Sequence, residues 1–319
     1  MQALTLVAAL GLALRLPLVS LWIGAALFGV PHVLGGVRAV AVTRTLTRPT
    51  IIASGLGVLV GAAQLAGMGD AALRIFLWLF AAALAAEILV ARRTALTVGL
   101  SLAALGVGVV TANASPRLAV VVLAHLHGVG SLAFYALAAH RRRLPYRMLV
   151  VGAGIVSAAA ITGLLDGAMA GTLYAPRGAA ASIANEAIGI AGRGVSGAAF
   201  HRGLFLYAFG QSLHFAVWLR LVPDLDRPTR VPKPLRRALA ELRTDFGWAT
   251  GPLLAIAAGA VLLLFAGGGR AREAYFALTY FHVGLEAAAL VRLGLPGAGR
   301  AAAGAAALQT APTALGIGQ

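Results

Sequence analysis

The sequence predicts an all-α fold, a polytopic membrane helix bundle of about nine transmembrane helices (roughly eight to ten). Three observations predict it. The chain is 60% hydrophobic and only 11% charged, where a soluble domain carries about 25% charged residues. Apolar runs of roughly 18 residues or more recur from end to end, and the mean hydropathy is +0.88. Those runs are rich in Ala, Leu, Val and Gly and do not alternate with period two. They therefore satisfy their backbone as helices and not as barrel strands.

The elements follow in order. Residues 1–14 are apolar but short, and Arg15 and Pro17 interrupt them. They lack a charged leader region and a cleavage site, so they read as an interfacial or half-spanning helix. The first full span, 18–42, contains Pro31 and His32, and Pro31 should kink it and free a carbonyl near the histidine. Further spans are expected at 51–68, 75–90, 95–112, 118–139 and 148–165. After a long connection come 203–222, 248–265 and 274–291. Residues 1–293 form one membrane domain in this reading, and 294–319 form an Ala/Gly-rich flexible tail.

Charge orients the bundle. Basic clusters follow the odd spans: Arg44 and Arg48; Arg92 and Arg93; Arg141, Arg142, Arg143 and Arg147; Arg227 to Arg243; and Arg300. The other connections hold fewer. By the positive-inside rule the odd spans run inward and the C-terminus is cytoplasmic. The net charge of +16 is thereby absorbed by topology and lipid headgroups, which excludes a nucleic-acid partner. The absence of cysteine excludes disulfides, thiolate ligands and iron–sulfur clusters. The Ala/Gly/Arg bias fits a GC-rich genome, and the expected setting is a bacterial inner membrane.

The titratable residues fall almost entirely on the odd spans: His32, Glu87, His125, His127, His214, His282 and Glu286. Such groups are costly in hydrocarbon and by default mark a functional site. At 1.5 Å per residue, His125, His127, His214 and His282 lie roughly seven to eleven residues in from the outer ends of their spans, with His32 somewhat deeper. Imidazoles from separate helices at one depth suit iron, copper or zinc. His125 and His127 stand about 200° apart on a helix, so one can face a shared site while the other cannot. Both remain candidate ligands. Glu286, one turn after His282, is a candidate ligand or an acceptor that orients an imidazole. Gln211, which shares a face with His214, and Tyr280 are further candidate site residues. His140 and His201 read as boundary and surface residues, and Trp218 with Arg220 reads as an interface anchor. No P-loop, GxSxG or HExxH occurs, and seven histidines are too few for the eight-histidine pattern of membrane desaturases.

A bundle with single histidines on separate helices, and the segment VPHVLGG around His32, resembles the Brp/Blh-type membrane β-carotene 15,15′-dioxygenases. The resemblance implies a mononuclear non-haem iron, oxidative cleavage of a carotenoid or related lipid, and His32, His125 or His127, His214 and His282 as ligands. The sequence departs from that family: VLGGVR follows His32 without acidic residues, and no HxxxH occurs.

The leading expectation is an intramembrane oxidoreductase with a histidine-held iron, acting with dioxygen on a lipophilic substrate from the bilayer. Copper or zinc would suit the same ligands. Two alternatives stand beside it. One is a b-type haem electron-transfer protein with two axial histidines. The other is a transporter that uses the His/Glu layer as a proton relay.

Overall fold

The structure is a computed structural model. It describes residues 2–24, 28–29, 32–33, 51–52, 54–56, 69–91, 95–114, 116–141, 143–169, 197–221, 240, 243–244, 247–252, 254–255, 258, 282 and 285–286. Among the described residues every regular element is helical and none is a strand. The principal helices are α1 (Gln2–Arg15), α2 (Pro17–Ile23), α3 (Gly69–Ala91), α4 (Ala95–Ala114), α5 (Pro116–Arg141) and α6 (Arg147–Ile161). A single turn, α7 (Asp166–Met169), and α8 (Ala198–Ala216) follow, and α8 runs on into a π-helical turn, Val217–Leu221.

Small residues decide how closely these helices approach. On α4, a Cβ placed on Gly108 would fall on Ala81 of α3, and Ser101 donates across the same pair to the Ala85 carbonyl at 3.1 Å. Leu73, Phe76, Leu77 and Ala112 form the apolar core between them. On α5, a Cβ on Gly128 would stand 3.0 Å from the backbone carbonyl carbon and oxygen of Gly210 on α8. Glycine at this crossing lets two backbones come almost into contact.

The α5 to α6 connection is a Schellman ending. Arg143 has φ 56°, Leu144 N–H donates to Ala139 O at 2.9 Å and Arg143 N–H to His140 O at 3.0 Å. This is the reciprocal pattern that satisfies the last carbonyls of a helix. At the other end of α6, Gly163 (φ +85°) turns the chain where a side chain would strike Arg202. Arg202 there donates to both carboxylate oxygens of Asp166, at 2.9 Å and 2.5 Å, and to the Ile161 carbonyl. The bidentate pair fastens the start of α8 to α7. The hydrogen bond from Arg202 holds the Asp166 carboxyl below its ordinary range.

The N-terminal helix packs against the rest of the structure. Gln2 hydrogen-bonds to Tyr135 Oη at 3.1 Å and to the Pro145 carbonyl. Leu6 packs where a side chain on Gly152 would go, and α1 also touches α7. Helix α1 thus runs beside α6 from the end that holds Pro145 to the end that holds Asp166. Its Ala9 and Ala13 are buried in the main core, where their small size allows close packing on α8. Leu16 (φ −141°, ψ 52°) then breaks the helix, and Pro17 opens α2 with the preset φ that suits a first turn.

Helices α3 to α6 and α8 match the expected spans to within a few residues. By length and composition one stretch among the described residues, Gly69–Ala86, is sufficient to cross a membrane, and 39% of it is buried. The count of about nine spans is not supported beyond that one. Most of the expected spans 51–68, 248–265 and 274–291, the long connection, and the tail 294–319 lie outside the described residues.

Candidate metal centre

The site is assembled from four parts of the chain. His32 lies in the first expected span, after α2, and His127 in the middle of α5. His214 lies in the last turn of α8, and His282 and Glu286 stand one helical turn apart. His127, placed beside Gly128, profits from the close α5–α8 crossing: its ring centroid is 4.1 Å from that of His214. His32 stands at 4.2 Å and 88° to His282 and at 4.7 Å and 81° to His214. Glu286 Oε2 is 2.9 Å from His127 Nδ1. Its Oε1 is 2.5 Å from His282 Nε2 and 3.8 Å from His214 Nε2.

All five residues are buried, and one ligand atom from each lies within 4.8 Å of the others. With metal–nitrogen and metal–oxygen bonds of about 2.0–2.2 Å, opposite donors around one ion stand about 4.0–4.4 Å apart. The observed spread is within a few tenths of an ångström of that, so this group can hold a metal ion. The unpaired atoms argue the same way. His32 Nε2, both nitrogens of His214 and His282, and both oxygens of Glu286 are buried without a hydrogen-bond partner among the described residues. Orphaned buried polar atoms are expensive, and a cation bound among them would take one nitrogen of each imidazole and the Glu286 carboxylate.

His32 carries the orienting contact usual for a metal-bound imidazole. Its Nδ1 lies 3.3 Å from the Phe28 carbonyl; with the proton on Nδ1 it donates there and leaves the Nε2 lone pair for the centre. An apolar shell closes around the group. Phe215 packs edge-on to His32 at 5.1 Å and to His214 at 5.5 Å, and it fills the space that a side chain on Gly24 would take.

Of the residues singled out in the sequence, His32, His127, His214, His282 and Glu286 come together. His125 does not. Its Nε2 points at the Gly203 carbonyl at 3.4 Å, and its ring lies 5.6 Å from Tyr207, on the opposite side of α5 from His127. Gln211 is half-buried on α8. Tyr280 lies outside the described residues. Exposed His140 meets the Tyr146 hydroxyl at 3.2 Å.

Trp218 corrects the sequence reading. It is no interface anchor, being 2% exposed within the main core with its ring 6.1 Å from that of His282. The available signal was its spacing: four residues after His214, on the same helical face.

Compared with known proteins, the chain matches no family model, no curated protein and no solved structure at a significant level.

Proposed function

We propose that this chain is an integral membrane oxidoreductase, set in a bacterial inner membrane with a cytoplasmic C-terminus. It holds one transition-metal ion, iron before copper or zinc, through His32, His127, His214, His282 and Glu286, and acts with dioxygen on a lipophilic substrate. The observation that carries this reading is the convergence of five buried donors on one point inside an apolar shell.

The donor set favours iron. Four imidazoles and a carboxylate exceed the four-coordinate habit of structural zinc and leave a sixth position in an octahedral arrangement. When bound, iron would supply the one-electron chemistry that dioxygen requires. The chain's own residues do the rest. His32 is oriented by Phe28, Glu286 offsets the charge of the cation, and Phe215 keeps water from the ligands.

The membrane setting is supported by the outer faces of the helices. Leu4 and Val7 on α1, Leu102, Val107 and Val110 on α4, and Val151 and Ile155 on α6 are large, apolar and exposed. Helices that are apolar on their outer as well as their inner faces suit lipid. A carotenoid or another polyene lipid is the substrate class that the resemblance at His32 adds.

An optical spectrum and an oxygen electrode test this reading. Iron-loaded protein should show no Soret band and should consume dioxygen when given a polyene lipid, and His214→Ala and His282→Ala should abolish that consumption. A Soret band, or consumption unchanged in both variants, would overturn it.

A further inference from the structure

The indole N–H of Trp218 has no use in the site as described so far. It is buried and finds no hydrogen-bond acceptor among the described residues. Tryptophan nitrogen is a donor only, and a buried indole ordinarily has a partner. Phe134 packs against the ring at 4.7 Å, so the indole is held in place. Its backbone belongs to the π-helical turn Val217–Leu221, which begins directly after α8. Such turns are uncommon and recur at functional sites. The ring borders His282, and His282 is one of the five residues that could hold the ion.

We propose that Trp218 is a binding residue of the centre. Its N–H donates a hydrogen bond to a small anionic ligand, of the class of azide or an oxygen anion, taken up beside His282. This rests on the metal reading above. It goes further by assigning the side of the centre where an exogenous ligand enters, and a donor that recognises it. An acceptor brought in by such a ligand would satisfy the N–H that no described residue accepts.

The test uses the full chain in lipid nanodiscs, loaded with ferric iron and titrated with sodium azide, the charge-transfer band reporting binding. Trp218→Phe keeps the ring and removes the donor. It should retain the metal and weaken azide binding about tenfold, the fold-change expected for one hydrogen bond to a charged acceptor. Equal metal content with equal azide affinity would overturn the assignment of Trp218 alone. Wild-type protein that takes up no metal would overturn the metal reading and this inference with it. Should Trp218→Phe fail to fold, the wild-type indole resonance decides. In zinc-loaded, indole-labelled protein, assigned through Trp22→Phe, Trp78→Phe and Trp248→Phe, the Trp218 N–H proton should move downfield on azide addition. A resonance that does not move would overturn the inference.

Discussion

His125 and His127 lie on one helix, two residues apart, and the structure gives them opposite fates. His127→Ala should strip the centre of metal, and His125→Ala should leave it filled. Even outer partners of metal ligands cost about 10–100-fold in affinity when removed. Loss of the His127 nitrogen, 2.9 Å from Glu286, should therefore cost at least about 100-fold, or about 3 kcal/mol. With metal in excess, the stabilisation that metal confers on folding falls by the same about 3 kcal/mol. His125→Ala loses a long contact, 3.4 Å to the Gly203 carbonyl, and a ring contact with Tyr207. A hydrogen bond of that kind contributes at most about 1 kcal/mol, and none of it concerns metal. The assay is metal content per chain after chelator-free purification, together with melting temperature with and without EDTA. Wild type and His125→Ala should each lose stability on chelation, and His127→Ala should be indifferent to it. Metal lost from His125→Ala and kept by His127→Ala would refute the assignment of faces, and so would equal metal in both.

Two further predictions follow from particular contacts. Glu286→Gln should bind metal about 10–100-fold more weakly, yet without metal it should be at least as stable as wild type. It removes a buried carboxylate that only a cation can compensate, and chelator-treated Glu286→Gln melting below chelator-treated wild type would contradict this. At the other end of the bundle, the hydrogen bond from Arg202 lowers the Asp166 carboxyl from an ordinary value of 3.8. Because the folded value is the lower one, the clasp stabilises above that ordinary value, and its contribution fades as pH falls through the folded value. Asp166→Asn should therefore melt below wild type at about pH 7, with the gap closing as the pH falls below the ordinary carboxylate value. A gap that stays constant over this range would show that the pair does not act through ionisation.

The clustering of the site residues was legible in the sequence because helix rise is constant. Once the odd spans share a direction, His127, His214 and His282 can be set at one level by counting residues. The partnership of His282 with Glu286 followed from four-residue spacing. Rotation about the helix axis was not legible. Which of His125 and His127 faces inward depends on where α8 crosses α5, and that is decided by Gly128 meeting Gly210, a contact between distant segments. Trp218 was misread for a related reason. Trp–Leu–Arg near the end of an apolar run has the pattern of an interface anchor, and only the packing of Phe134 and His282 shows the indole inside the core. The packing of α1 alongside α6 was not legible behind Arg15 and Pro17. They end the helix without preventing its fourteen residues from packing along a neighbour of similar length.

Elemental analysis of full-length protein purified without chelator tests the central claim most directly. The five converging donors predict about one transition-metal ion per chain, mainly iron, released by chelation and not retained by His214→Ala or His282→Ala. Less than about 0.2 equivalents of any transition metal, in protein that is folded and was offered iron, copper and zinc, would contradict a metal centre at these residues.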